Sequence, residues 1–529
     1  MTGKLIRLAA GAALAALLAS AAAAAEVTYM RGNDSDPETL DQHKTSTVSE
    51  ANILRDLYEG LVVQDPAAEV VPGVATDWQV SDDGRLWTFS LREDARWSNG
   101  DAVKAEDFVY SLRRILTPET GAKYATILYP IKNAEAVHAG DMAPEELGVA
   151  APDSQTLQIT LENRTSYFLE LLTHQTALPV HPASVEAHGT DFVRPENMVT
   201  NGAYTLAEFT PNDKIVLSKS DTFHDADNVA IDRVVYIPFE DRSACLRRFE
   251  AGEVHSCSDI PTEQMAYVKD KLGDAVRIAP YLGIYYYAVK ADKPKLADIR
   301  IRQALSMAID REFVAEEIWA GAMLPAYAFV PPGIGNYPQG ASADYKDMDP
   351  LDREDRAKEL LEAAGHGPDN PLVVEIRYNT SENHQNTATA IADMWKAIGV
   401  TTTFVNVDGA SHYAYLRDKG DFDIARAGWI GDYSDPQNFL FLVKSDNSGF
   451  NYANYANPEY DALLDEAAET SDLDARAEIL RQAEEIFMRD LPYIPLLFYS
   501  SLNLVSDRLQ GWQDNLQNVH GSRWLSLAP

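Results

Sequence analysis

Residues 372–407 constrain the fold more than any other part of the chain. Leu372, Val374, Ile376 and Tyr378 alternate with Val373, Glu375 and Arg377, the two-residue period of a strand. Over 382–398 the period becomes helical, with Ile391, Trp395 and Ile398 on one side. Gly399 ends that helix, and a β-rich run resumes at 400–407. Strand, helix and strand in this order imply a parallel sheet covered by helices, so an α/β fold is predicted. Elsewhere, Trp87, Phe89 and Leu91 alternate with Thr88 and Ser90, a second half-buried strand. Phe108, Leu112 and Ile115 then fall at helical spacing within 105–116.

A chain of 529 residues is too long for one core, and domains of ~100–200 residues would divide it into two to four lobes. Loops rich in proline and glycine lie at 330–340 and 366–371, but neither reads as a flexible linker. The lobes are therefore expected to be interwoven.

The first 25 residues have the layout of a secretory signal. Lys4 and Arg7 precede an apolar stretch at 8–18, and small residues at 20–25 suit cleavage after Ala25. The stretch is alanine-rich and weakly hydrophobic for a bilayer span of ~20 residues, so a retained anchor is the lesser reading. No cysteine lies near the cleavage point to carry a lipid. Net charge is −36 for the whole chain and −38 once the two basic residues of the signal are gone. Such a field repels nucleic acid and anionic headgroups. Cys245 and Cys257 can pair in an oxidising compartment, across the end of a helix, a turn at Gly252 and the start of a strand. A disulfide and two free thiols stand as equal readings; a catalytic thiol is the lesser one.

Signals for catalysis are weak. His174, His181 and His188 recur every seven residues, but Pro179 and Pro182 break any helix that would align them, so no metal site is expected. The chain has no H-E-x-x-H, G-x-S-x-G, G-x-x-x-x-G-K or dinucleotide glycine motif. Among 81 acidic residues, no carboxylate pair stands out as an acid/base couple. Aromatic residues are more telling: Tyr281, Tyr285, Tyr286 and Tyr287 share one expected strand and Trp429 ends another. Most will pack in the core, yet tyrosine and tryptophan also suit a moist pocket.

The sharpest segment is D-F-D-I-A-R-A-G-W-I-G-D-Y-S-D-P at 421–436. In a strand, Phe422, Ile424 and Arg426 share a side, and a guanidinium in line with apolar residues is costly unless it meets an anion. On physics alone an internal salt bridge, with Asp432 or another carboxylate, is the first reading. An anionic ligand group is the second, and Asp432 would then suit a cationic one.

In this segment the chain resembles the periplasmic oligopeptide-binding proteins of ABC importers, the extracellular solute-binding proteins of family 5. The resemblance runs through collinear blocks: L-D-Q-H-K at 40–44, I-L-R-D-L-Y-E-G-L at 53–61, P-G-V-A-T-D-W at 72–78, W-T-F-S-L-R-E-D-A-R-W-S-N-G at 87–100 and A-E-D-F-V-Y-S at 105–111. V-T-N-G-A-Y-T-L at 199–206, P-Y-L-G-I-Y-Y-Y at 280–287, D-I-R-I-R-Q-A-L at 298–305, A-I-D-R at 308–311 and F-D-I-A-R-A-G-W-I-G-D-Y at 422–433 complete the series. Any one block is weak evidence; their order is strong.

The resemblance implies a two-lobed α/β periplasmic binding protein fold of the class II, cluster C type, with an inserted domain. By the same resemblance the first lobe would be 26–58, 184–282 and 500–529, the inserted domain 59–183 and the second lobe 283–499. Asp432 matches an aspartate that receives a peptide amine. Arg426, Arg417 and His384 match polar groups around the carboxylate end, while Tyr124, Tyr281 and Trp429 match pocket aromatics. Val48 matches a segment that pairs with peptide backbone. Trp319 stands where relatives have a lysine, and Ala288 and Ser46 stand at acidic positions. Gly283 and Ile430 hold the positions of a disulfide found in some relatives, so that link is impossible here. The expected partners are short peptides and an inner-membrane permease with its ATPase, with no cofactor and the protein a monomer. Competing readings are another zwitterionic ligand (a murein peptide, a dipeptide, an opine), a hydrolase, and a nickel- or haem-binding member.

Overall fold

The strand–helix–strand unit forms as the periodicity predicts, with strand Val373–Asn379, helix Glu382–Ala397 and strand Thr401–Val407. The two strands pair in parallel from Val373 opposite Thr401 to Asn379 opposite Val407. Val374 and Ile376 are buried, as are Ile391 and Trp395 on the helix, and the indole of Trp395 donates to the Leu305 carbonyl at 2.8 Å. Gly399 takes a φ of 84°, a left-handed turn that other residues adopt at a cost. The computed structural model describes residues 26–529 apart from Glu240, Thr262, Glu263, Ser448 and Pro529. The expected signal segment, 1–25, lies outside the described residues.

This unit forms one end of an eleven-stranded mixed sheet. Strand Ile424–Ile430 adds in parallel beside Val373–Asn379 and pairs antiparallel with Val276–Val289. Tyr493–Val505 follows, then Ser256–Ser258, Thr28–Asn33, Arg233–Pro238, Lys214–Lys219 and Tyr204–Thr210. Two long strands therefore carry the sheet from one half of the molecule to the other. Their ladder runs from Val276 opposite Leu504 to Pro280 opposite Ser500, then breaks before Ile284 opposite Phe498. Pro280 has no N–H to donate, so the break falls where the ladder is chemically weakest.

A separate antiparallel sheet orders Ala75–Val80, Leu86–Leu91, Thr156–Thr160 and Val149–Asp153. Helix Ala105–Leu116 covers it, burying Phe108, Leu112 and Ile115. One apolar core gathers around Tyr285–Tyr287, Phe329, Trp395 and Phe487. A second runs continuously through Tyr29, Trp97, Phe108 and Tyr204, tying the small sheet to the near half of the large one.

Cys245 on helix Arg242–Glu250 and Cys257 on strand Ser256–Ser258 form a disulfide within a third, smaller core. Gly32 makes room for it, because an added Cβ would collide with Cys245 Sγ. The cysteines lie 12 residues apart, a closed loop whose entropy is worth about 3 kcal/mol. Replacing both by serine is expected to lower unfolding stability by about that amount in urea titrations. A loss below about 1 kcal/mol would show that neighbouring packing already holds the loop.

Candidate functional site

Strand Ile424–Ile430 lies between Val373–Asn379 and Val276–Val289, which makes it internal to the sheet. Its residues 424–427 are buried, and Arg426 is only 7% exposed. Among the described residues no carboxylate lies within ion-pair distance of Arg426, so the first sequence reading, an internal salt bridge, is corrected. Neutral groups surround it instead. One terminal nitrogen donates to the Tyr413 hydroxyl at 2.7 Å and to Asn379 Oδ1 at 3.2 Å, and the other to the Tyr499 hydroxyl at 3.0 Å. The guanidinium carbon stands 4.6 Å from the Tyr285 ring centre, a cation–π contact. Nε is buried without a partner. Gly428, two residues along on the same face, permits this packing: an added Cβ would fall 2.7 Å from the Tyr499 hydroxyl.

The nearby histidines bring no second positive charge. Burial, reinforced by the Arg426 guanidinium, pushes His384 down to about 3. Burial also takes His412 down to about 4, although its ring lies 2.7 Å from the Arg426 carbonyl. Both are neutral at pH 7. His384 Nδ1 lies 3.3 Å from the Tyr285 hydroxyl, and Trp319 stands edge-on to the same tyrosine while donating to Thr387 Oγ1 at 3.1 Å. Arg426 and His384 thus come together in an aromatic cage. Tyr413, Tyr499 and Asn379, which complete it, come from three other segments and carry no local pattern that would reveal them.

Beyond Arg426 the chain turns at Gly431, whose N–H donates to the Leu282 carbonyl at 2.7 Å. An added Cβ there would lie 2.8 Å from the Leu282 side chain, so glycine allows the close approach. Asp432 follows. Its Oδ1 accepts from the Tyr124 hydroxyl at 2.9 Å, and among the described residues no cation pairs with it. Burial raises its carboxyl above the usual range, and the Tyr124 hydrogen bond only partly opposes this. Tyr124 in turn stacks on His174, with ring centres 5.1 Å apart. Tyr281 is partly buried, and the charges of Arg55, Asp259 and Asp432 all reach its hydroxyl.

The remaining sequence candidates are placed differently. Trp429 sits between the two charges, opposite Ile284, with its N–H committed to Asn438 Oδ1 at 2.7 Å and its ring edge-on to Phe441 and Phe450. Val48 opens helix Val48–Leu57 and is 57% exposed. It can offer an extended ligand a free helix-end N–H and an apolar side chain, but no strand ladder. Arg417 ends helix Gly409–Arg417, exposed and outside the cage. Gly283 and Ile430 face each other across the ladder, beside the Tyr499 ring.

Two contacts tie the part of the chain around Asp432 to the part that bears the small sheet. One is the Tyr124–Asp432 hydrogen bond; the other is Tyr167 stacked on Tyr433 at 4.7 Å and nearly parallel. Arg476 lies 5.8 Å from the Tyr167 ring while forming a two-pronged bond with buried Asp435. None of these pairings was legible in the sequence, because the partners are far apart along the chain, 308 residues in the case of Tyr124 and Asp432.

Comparison with known proteins gives the arrangement its context. The family model for bacterial extracellular solute-binding proteins, family 5, matches residues 69–451. The periplasmic oligopeptide-binding protein of Escherichia coli K12 is 36% identical over 502 residues, covering 93% of this chain and 91% of that protein. Among solved structures, the unliganded open form of a periplasmic murein tripeptide-binding protein superposes with a TM-score of 0.89, at 36% identity. It covers 95% of this chain and 98% of that one. The oligopeptide-binding protein of Haemophilus influenzae, in complex with the peptide RPPGFSPFR, gives 0.74 at 34% identity, over 95% and 99% of the two chains. These matches extend to the two-lobed architecture.

Proposed function

Since the chain belongs to the bacterial extracellular solute-binding proteins of family 5, we propose that it is the substrate-binding component of an ABC importer and captures short peptides between its lobes. One observation carries the reading. Arg426 and Asp432 are opposite charges on neighbouring stretches of one segment, both largely buried and both without an ionic partner among the described residues. Each is costly alone, and a ligand with an anion at one end and an ammonium at the other relieves both. The chain is extended from Arg426 to Ile430, roughly 13 Å, before it turns at Gly431, so the two charges stand apart along the segment.

In this scheme Asp432 receives the amine and Arg426 the carboxylate, helped by neutral His384 and, on closure, by Arg417 from the rim. Tyr124, Tyr281 and Trp429 line the side-chain spaces, and Val48 meets the peptide from the opposite wall. Backbone hydrogen bonds give affinity without reading side chains, and hydrated pockets tolerate variety. A ligand touching both lobes favours the closed form over the open one. The higher TM-score against an open form is consistent with the described conformation being the one that awaits ligand. The division into 26–58, 184–282 and 500–529, 59–183, and 283–499 belongs to this proposal. So do export on a signal cleaved after Ala25, a monomer in the periplasm, and delivery to a membrane permease and its ATPase. A murein peptide is the second reading, favoured by the 0.89 superposition on a murein tripeptide binder.

Calorimetry with pooled di-, tri-, tetra- and pentapeptides tests the reading. Peptides with free amines are expected to bind, and their N-acetylated counterparts to lose roughly 30-fold or more in affinity, because acetylation removes the charge Asp432 needs. Equal binding of the two sets would refute the amine pocket.

A further inference from the structure

Arg55 is a cation that the peptide-binding scheme leaves unused. It lies on helix Val48–Leu57, two turns after Val48, so the two share a face about 10 Å apart. Four buried arginines are well supplied by comparison. Arg31 donates to the His520 carbonyl, Arg302 and Arg311 to several carbonyls, and Arg476 to Asp435. Among the described residues the Arg55 side chain has no hydrogen bond and no ion pair, and its Nε is buried without a partner.

Burial pulls its guanidinium down to about 10, and the groups that act on it are the phenols of Tyr281 and Tyr236 and the cation Arg31, with no carboxylate among them. Its own charge, added to burial, keeps His174 neutral, down to about 3. His174 stacks on Tyr124, whose hydroxyl donates to Asp432. Arg55 and Asp432 therefore flank the same aromatic pair, and both act on Tyr281. Arg55 also lines a cavity of about 40 Å³ with Tyr58, Thr173 and Arg523, which suits a water or two and is too small for a peptide side chain.

We propose that Arg55 is a second anion subsite, beside the amine pocket, which takes the carboxylate of an acidic side chain in the first two residues of a bound peptide. The subsite rests on the peptide-binding reading. The peptide's own terminal carboxylate is drawn to Arg426, at the far end of the segment from Asp432, so the anion near the amine end must come from a side chain. A partly buried guanidinium without a counter-ion gains a charge-assisted, two-pronged bond when that carboxylate arrives. The net charge of −36 disfavours acidic peptides at long range, so a preference for them would report a local site.

The test is calorimetry of tri-alanine, Glu-Ala-Ala, Gln-Ala-Ala, Ala-Glu-Ala and Ala-Gln-Ala against the wild type and Arg55→Met. At one of the two positions glutamate should exceed glutamine by tenfold or more in the wild type. That ratio should fall within twofold in Arg55→Met, with tri-alanine changed less than threefold and the melting temperature not lowered. Equal binding of glutamate and glutamine at both positions overturns the subsite. So does an Arg55→Met variant that weakens tri-alanine as much as the glutamate peptides, which would make Arg55 a positioning residue. A melting temperature that rises with chloride in the wild type alone would assign Arg55 to a buried inorganic anion and overturn it too. If tri-alanine and every other peptide fail to bind the wild type, the peptide reading itself falls and takes the subsite with it.

Discussion

Asp432→Ala is expected to weaken peptide binding by about 2–5 kcal/mol, roughly 30- to 4,000-fold, because a bound ammonium would be stranded in a desolvated pocket. The loss belongs to the charge pair, which a double cycle of variant and acetylated peptide can isolate. The variant should bind free and N-acetylated peptides about equally, whereas the wild type separates them. The pH dependence has a definite sign. Burial raises the Asp432 carboxyl in the free protein, while a bound ammonium favours its ionised form. Binding therefore expels a proton at acidic pH, and affinity falls as pH drops through the raised value. Asp432→Ala should lack that part of the profile. A variant that binds within threefold of the wild type, with the same acid limb, would remove Asp432 from the site.

Arg476→Met is expected to cost about 3–5 kcal/mol of folding stability, since it leaves Asp435 ionised and buried. The pair is the most enclosed among the ion pairs of the described residues, with side-chain exposures of 3% and 0% and two bonds of 2.8 Å. Asp435 would keep only Asn336 Nδ2 at 3.0 Å and the Gln437 N–H at 2.9 Å. Removing both charges should be far milder, because neither is left unmatched. Arg476→Met with Asp435→Leu is thus predicted to recover most of the loss in urea titrations. If single and double variants unfold alike, the pair contributes packing and not charge balance. Since Arg476 also lies against Tyr167, the single variant should loosen the Tyr167–Tyr433 stack, which tyrosine fluorescence can follow.

Local order was the legible part of this protein. The two-residue period at 372–378, the helical period that follows and Gly399 were enough to predict a parallel strand pair, and the pair is there. The same holds for strand Leu86–Leu91 and helix Ala105–Leu116, where side-chain periodicity alone decides which face is buried. Arg426 could be flagged as anomalous, because a charge on an apolar strand face is visible within a short window of sequence. Its surroundings could not be. In place of the expected carboxylate stand three phenols, those of Tyr285, Tyr413 and Tyr499, and the amide of Asn379.

The order of the large sheet was likewise illegible, since Ser256–Ser258 is too short to announce itself and Tyr493–Val505 pairs with strands far earlier in the chain. Whether Cys245 and Cys257 join depended on how closely helix Arg242–Glu250 approaches strand Ser256–Ser258, an approach for which Gly32, from a third segment, leaves room. Periodicity is a property of neighbours along the chain, so it survives in the one-dimensional record. Charge compensation is a property of neighbours in space. Arg426, Asp432 and Arg55 are informative because folding brought each of them no counter-ion among the described residues, and that outcome exists only once the chain is packed.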